Sequence, residues 1–175
     1  NKSEKNIVKK IIFSTFVSTA GPYVEKFEKN FSKFTESKYC VATNSGTSAL
    51  HLACKIIELN KNDEVLVPTL TFIAPINAVK YCSASPVFFD CDDHLNMNIK
   101  DVIFFLKNNT FIKENKKNNQ KTRKRIKAII IVHLYGSGTE LTKELLIECN
   151  KYNIAIIEDA AESVGTKIKY KNKNR

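Results

Sequence analysis

This 175-residue chain has no long hydrophobic runs and no closely spaced cysteine pairs of the kind that bind metals. The apolar runs are far shorter than the roughly 20 residues that a membrane-spanning helix needs, so no membrane span is indicated. The five cysteines form no C-x-x-C pair and are odd in number, which argues against both a zinc site and a disulfide framework. Cys40, Cys54 and Cys149 lie in apolar patterns. The sequence therefore predicts buried free thiols in a reducing cytoplasm.

The net charge is +10, and much of it comes from residues 113–127. This stretch is rich in Lys, Arg and Asn and contains no aromatic residue, so it predicts a basic, solvated surface loop at residues 112–126. Single-stranded nucleic acids need stacking aromatics between the basic residues. We therefore predict no nucleic-acid partner and no membrane partner.

The first 20 residues contain Lys9 and Lys10 followed by a short apolar run, a weak likeness to a secretory signal. The alternative is a helix followed by a strand or a turn. With 43% hydrophobic residues, the chain is long enough to form one ordinary domain with a core.

Strand-like and helix-like patterns alternate along the chain. The predicted helices cover residues 23–34, 47–59, 72–82, 99–106 and 140–152. The predicted strands cover residues 39–43, 64–68, 86–90, 127–132 and 154–158. Because the strands are almost continuously apolar, the sequence predicts an α/β fold, a mostly parallel sheet with helices on both faces. Ligands bind such sheets beyond the carboxyl ends of the strands, here after Thr43, Pro68, Val132 and Glu158.

The segment N-S-G-T-S at residues 44–48 follows a strand and opens a helix. Free backbone N–H groups and the positive helix end favour an anion there, and Gly46 allows a close approach. Thr47 and Ser48 add hydroxyl donors. Ordinary N-capping by Ser45 or Asn44 is the commoner explanation of the same pattern.

Three further strand ends carry candidate groups. Phe72 could cover one face of a flat ring, although a core aromatic is the usual explanation. His133 follows the most apolar strand and receives no catalytic role, because a lone histidine there is more often structural. Asp159 ends the last strand, where a carboxylate can hold a pyridinium proton. The alternative for Asp159 is a turn with solvated acids, but a carboxylate beside an apolar strand needs a partner.

Five ordered motifs together resemble the DegT/DnrJ/EryC1/StrS sugar aminotransferases, over about residues 14–171. They are S-T-A-G-P-Y-V-E-K-F-E at 18–28, A-T-N-S-G-T-S-A-L-H-L-A at 42–53, D-E-V-L-V-P-T-L-T-F-I-A at 63–74, V-H-L-Y-G at 132–136 and I-E-D-A-A-E-S-V-G at 157–165. The opening motif and the basic insertion look closest to the branch that acts in legionaminic or related nonulosonic acid synthesis.

The resemblance implies the large domain of a fold-type I enzyme that binds pyridoxal 5'-phosphate (PLP). Gly46, Thr47 and Ser48 would hold the cofactor phosphate, Phe72 would stack on the ring and Asp159 would pair with the ring nitrogen. Glu162 stands where the family often has Gln, and would approach the ring hydroxyl. The implied reaction transfers an amino group from glutamate to a nucleotide-linked 4-keto-6-deoxy sugar, in a cytoplasmic homodimer without a metal.

The family's Schiff-base lysine would lie beyond Arg175, and so would the small C-terminal domain. We therefore expect residues 1–175 to form the N-terminal part of the PLP-binding large domain and to be inactive alone. Two alternatives stay open. One is a truncated remnant without catalysis. The other is a PLP-dependent sugar dehydratase, a sister branch in which a histidine replaces that lysine.

Overall fold

A computed structural model describes residues 1–19, 21–170 and 173–174, with side chains up to Ile168. Ala20 of the first motif and Lys171 lie outside the described residues. The chain divides into a unit of residues 1–43 and a unit of residues 44–175. No helix among the described residues is long and apolar enough to cross a membrane.

The first unit consists of helices α1 (Lys2–Phe13) and α2 (Pro22–Phe34) and an irregular tail. The predicted helix at 23–34 is confirmed, with Pro22 in its first turn, where no N–H is needed. The predicted strand at 39–43 is wrong. These residues have no strand partner in the described part of the chain, and Tyr39 and Val41 are exposed. The Glu28 carboxylate instead accepts the Ala42 N–H at 2.7 Å.

The second unit is built around a six-stranded sheet. Its strands are β1 (Asp63–Pro68), β2 (Ser85–Phe89), β3 (Thr110–Lys113), β4 (Lys116–Asn119), β5 (Arg125–Val132) and β6 (Ala155–Asp159). Strands β2, β1, β5 and β6 lie side by side and run parallel. A separate two-stranded pair, β7 (Lys169–Tyr170) and β8 (Lys173–Asn174), follows.

Helices cover both faces of this sheet, as the sequence predicts. They are α3 (Gly46–Ile56), α4 (Ala74–Tyr81), α5 (Ile99–Asn108) and α6 (Lys143–Lys151). Alternate residues of each strand point to opposite faces, so β5 sends Ile130 to the α3–α4 side and Ile129 to the α5–α6 side. Two apolar cores result, one on each face, and β5 belongs to both.

The prediction of a basic loop at 112–126 is wrong over most of that range. Strands β3 and β4 form an antiparallel hairpin, joined by Glu114 and Asn115, whose φ angles of 51° and 57° match a type I′ turn. Lys117 of this hairpin is only 6% exposed. Its Nζ donates to the Leu106 carbonyl at 2.6 Å and lies 4.6 Å from the centre of the Tyr152 ring. A polar run can thus form a buried strand when each polar group finds a partner.

All five cysteines are free thiols, and three of them are buried, namely Cys54, Cys82 and Cys149. Cys40, which the sequence placed in the core, is only half-buried. Burial raises the pKa of Cys54 to about 11 and that of Cys149 to about 12. It also raises the pKa of Cys82.

We predict two classes of thiol in the folded protein. At pH 8, roughly a thousandth or less of Cys54 and Cys149 is thiolate, so these thiols react slowly with a disulfide reagent such as 5,5'-dithiobis(2-nitrobenzoate). Cys40 and Cys91 should react first. Absorbance at 412 nm measures the coloured thiolate that the reagent releases, and mass spectrometry of the digested protein identifies the cysteines that have reacted. Fast labelling of Cys149 without denaturant would contradict the buried position.

Candidate functional site

Three neighbouring strands of the second unit end together at one edge of the sheet. Strands β1, β5 and β6 are parallel and adjacent, and they end at Pro68, Val132 and Asp159. Neighbouring strands lie about 4.8 Å apart, so the chain leaves β1 and β6 roughly 10 Å from each other. This carboxyl edge is the place where ligands bind in open α/β sheets.

Helix α3 begins toward the same edge. It ends at Ile56, a few residues before β1 starts at Asp63, so its last turn lies near the amino edge of the sheet. Leu50 and Cys54 of the helix pack in one core with Ile157 of β6. Eleven helical residues rise about 16 Å, which carries the first turn back toward the carboxyl edge.

The first turn of α3 is capped and still has free donors. Ser45 is the N-cap, and its Oγ accepts the Ser48 N–H at 3.1 Å, so the capping interpretation of this segment is confirmed. Helix geometry leaves the N–H groups of Gly46 and Thr47 without an intrahelical acceptor. Capping and anion binding are therefore compatible here, because they use different N–H groups.

Gly46 faces open space. A Cβ built on this residue meets no heavy atom of the described residues within 4 Å. Packing inside the protein therefore does not require glycine at this position. Because the Cβ atoms of a helix point toward its N-terminus, a side chain here would enter the space at the start of α3.

Phe72 lies in the turn between β1 and α4 and is 74% exposed. A core role, the usual explanation for an aromatic residue, is therefore excluded for this side chain. Beside it, Thr71 carries a buried hydroxyl that has no hydrogen-bond partner among the described residues. Sequence reasoning assigned nothing to Thr71, since a threonine in a turn has no distinguishing pattern.

Asp159 is the last residue of β6 and is partly buried. Its Oδ1 accepts the Ala161 N–H at 3.1 Å, and its carbonyl accepts the His133 N–H at 3.1 Å. Within the described part of the chain, no basic side chain lies within 4.0 Å of the carboxylate. Asp159 is thus held in place by the backbone and can accept a proton-bearing nitrogen from a ligand.

Glu162 is tied to the neighbouring loop. Its Oε2 accepts the Tyr135 N–H at 2.7 Å, and the Gly136 carbonyl accepts from the Thr166 hydroxyl at 3.2 Å. Tyr135 has a left-handed backbone, with φ 53°, and its side chain is 73% exposed. The bond to Glu162 holds this strained residue at the edge where β5 ends. Sequence reasoning missed Tyr135, because nothing in V-H-L-Y-G signals a left-handed tyrosine.

His133 is buried, and both of its ring nitrogens have partners. Nδ1 accepts the Thr139 N–H at 3.0 Å, so Nε2 carries the proton and donates to the Glu158 carboxylate at 3.1 Å. The neutral ring therefore ties the loop after β5 to the end of β6. The structural role predicted for His133 is confirmed.

These groups fit a flat, anionic, nitrogen-containing ligand such as PLP. The free N–H groups with open space before Gly46 suit a phosphate, and the Asp159 carboxylate without a cation suits a ring nitrogen. Exposed Phe72 offers an aromatic face. No group of three potential metal ligands occurs among the described residues.

The model of the DegT/DnrJ/EryC1/StrS aminotransferase family matches residues 1–174. GDP-perosamine synthase of Escherichia coli O157:H7 is 38% identical over 170 residues, which cover 96% of this chain and 42% of that protein. EpsN of Bacillus subtilis, whose name places it among pyridoxal phosphate-dependent aminotransferases, is 33% identical over 169 residues, 96% of this chain and 41% of EpsN. The chain spans about two fifths of the length of these curated relatives.

Solved structures agree with the fold. DesV of S. venezuelae is 27% identical and superimposes with a TM-score of 0.79, covering 99% of this chain and 42% of DesV. A DegT DnrJ EryC1 StrS aminotransferase from Brucella abortus is 28% identical, with a TM-score of 0.78 and coverage of 92% and 40%. The predicted fold class, a mostly parallel sheet with helices on both faces, is confirmed.

The Glu162–Tyr135 bond yields a prediction. Replacing Glu162 with Ala removes the acceptor and should lower the free energy of unfolding by about 1 kcal/mol, because a left-handed tyrosine loses its hydrogen bond. Glu162→Gln keeps a carbonyl oxygen and should lose less than half as much. Urea denaturation measures both, and hydrogen exchange at the Tyr135 amide should accelerate in Glu162→Ala. Equal exchange rates in all three proteins would show that the bond does not hold the loop.

Proposed function

The chain belongs to the DegT/DnrJ/EryC1/StrS aminotransferase family, and we propose that the whole protein is a PLP-dependent sugar aminotransferase. It moves an amino group from glutamate to the keto carbon of a nucleotide-linked 4-keto-6-deoxy sugar. The observation that carries the proposal is Asp159, a partly buried strand-end carboxylate that the backbone orients and that has no cation within 4.0 Å in the described residues. PLP, when bound, supplies the electron sink for the reaction.

Asp159 has the central role among the residues of this chain. Its carboxylate holds the proton on the ring nitrogen, and a charged ring withdraws electrons more strongly than a neutral one. The Ala161 N–H at 3.1 Å orients Oδ1, which leaves Oδ2 for the ring. The partly buried position strengthens the ion pair relative to water.

The start of α3 and Phe72 fix the other parts of the cofactor. The N–H groups of Gly46 and Thr47, with the hydroxyls of Thr47 and Ser48, bind the phosphate at the positive end of the helix. Phe72 stacks on one ring face and keeps water from it. Glu162 uses Oε2 for the Tyr135 N–H, so the predicted approach to the ring hydroxyl falls to its Oε1.

Two named relatives favour a nucleotide sugar as the amino acceptor. GDP-perosamine synthases from Escherichia coli O157:H7 and Caulobacter vibrioides are 38% and 36% identical to this chain. Their names point to a GDP-linked amino sugar, so a GDP-linked keto sugar is the first substrate to assay. The narrower placement in the legionaminic acid branch, the homodimer and the cytoplasmic location stay predictions.

The phosphate site can be tested by filling the space before α3. Gly46→Val in the whole protein should weaken PLP binding by about tenfold or more, because the side chain competes with the phosphate for the same space. PLP content after dialysis measures retention. Ala49→Val, which adds a similar side chain to an exposed position of the same helix, is the matched control. Normal retention in Gly46→Val would refute this placement of the phosphate.

The ring-nitrogen role is tested by Asp159→Asn. The neutral amide cannot hold the ring proton by charge, so the rate of amino transfer should fall by roughly 10²- to 10³-fold while PLP is still bound. Mass spectrometry of the sugar product measures transfer of nitrogen from glutamate. An unchanged rate in Asp159→Asn would remove the basis of the proposal. A deoxy sugar without added nitrogen, made by the wild-type protein, would identify the sister dehydratase instead.

A further inference from the structure

A second concave surface lies at the opposite edge of the sheet. It is a cleft of about 340 Å³ at the amino ends of β1 and β5, and the β3–β4 hairpin forms one wall. The other walls are the loop before β1 and the start of β5. The cleft lies within the unit of residues 44–175 and shares no residue with the candidate cofactor site.

Cations predominate in this cleft. The cleft is lined by four cationic side chains, those of Lys113, Lys116, Arg123 and Arg125, and by two carboxylates. The first carboxylate, that of Asp63, uses its Oδ2 to accept the Asn60 N–H at 3.1 Å. Within the described residues, none of the four cations lies within 4.0 Å of a carboxylate. The second carboxylate, that of Glu114 in the hairpin turn, is likewise unpaired in this part of the chain. Positive charge is therefore not neutralised locally.

The register of the hairpin places two of these residues directly opposite each other. Lys113 and Lys116 are direct partners across the strands, and like charges in such positions destabilise a hairpin. The same register places Phe111 and Asn118 on their face of the hairpin. The opposite face carries the buried Lys117, which fixes the hairpin to the Leu106 carbonyl. The repulsion is thus built into a well-anchored element, and a bound anion would relieve it.

The two arginines are also held in place. The Arg123 guanidinium lies 4.3 Å from the centre of the Phe111 ring. Arg125 donates through Nη2 to the Asn153 carbonyl at 3.2 Å, but its Nε is buried and has no partner among the described residues. A buried donor without an acceptor is costly, and this one belongs to a residue that lines the cleft.

We propose that this cleft binds a small anion of the diphosphate class. Four cations, two of them arginines held by contacts, match the charge of a diphosphate, and arginines bind phosphate oxygens through paired N–H groups. The volume exceeds what one inorganic phosphate fills and lies at the lower end of the range for small-molecule sites. Arg123 covers one face of the Phe111 ring, so that face is not open for stacking a strand of nucleic acid.

The test uses the whole protein saturated with PLP, so that the cofactor site is filled. Isothermal titration with inorganic pyrophosphate at low salt should detect binding. The double variant Lys113→Gln, Lys116→Gln should raise the dissociation constant by about tenfold or more. The matched control is Lys100→Gln, Lys121→Gln, which removes the same charge from exposed positions outside the cleft and should change the constant by less than about twofold.

Thermal unfolding gives a second measurement. Pyrophosphate should raise the melting temperature of the wild type and of the control by similar amounts, and that of the Lys113→Gln, Lys116→Gln variant by clearly less. The proposal fails if the wild type does not bind pyrophosphate, or if the cleft variant binds it as tightly as the control does. It also fails if a single-stranded oligonucleotide binds while pyrophosphate does not, because that result would indicate an extended nucleic-acid surface.

Discussion

The burial of β5 on both of its faces is the constraint on which the second unit depends. Ile126, Ile129 and Ile131 face the core under α5 and α6, while Ile130 and Val132 face the core under α3 and α4. A one-residue slip of this strand would exchange the two sets. Its register therefore fixes where β1 and β6 end, and hence where the chain leaves the sheet at each edge.

At the carboxyl edge, backbone groups do most of the positioning. The Asp159 carboxylate accepts the Ala161 N–H, the Glu162 carboxylate accepts the Tyr135 N–H, and His133 accepts the Thr139 N–H while it donates to Glu158. Within the described residues, the Asp159 and Glu162 carboxylates accept backbone N–H groups and have no basic side chain within 4.0 Å, while Glu158 lies beside a neutral imidazole. The edge thus keeps its negative charge for a cationic part of a ligand, while α3 presents N–H groups to an anionic part.

Sequence patterns predicted the core elements well, because burial leaves a periodic signal. Strand β5 is continuously apolar from Ala128 to Val132 and α3 repeats apolar residues every three or four positions, so both were found within a few residues. The β3–β4 hairpin was missed because its buried residues are Lys117, Asn118 and Asn119, which are buried through hydrogen bonds and a cation–π contact that no local pattern encodes. The prediction of a strand at 39–43 is wrong for the converse reason. The sequence suits a strand, but these residues have no neighbouring strand to pair with in the described part of the chain. Motif order pointed to Gly46, Phe72 and Asp159, but it could not reveal that Glu162 is bonded to Tyr135.

The hairpin shows how one register serves two purposes. Because side chains alternate, the face that carries Lys117 and Asn119 is drawn inward, where Asn119 donates to Glu64 at 2.8 Å and Lys117 to the Leu106 carbonyl. The other face must then carry Lys113 opposite Lys116. The backbone positions of these two lysines cannot separate without a change of register, and a change of register would unpair the buried groups. The charge of the cleft is therefore a consequence of how the hairpin is anchored, which distinguishes it from the scattered lysines elsewhere on this basic chain.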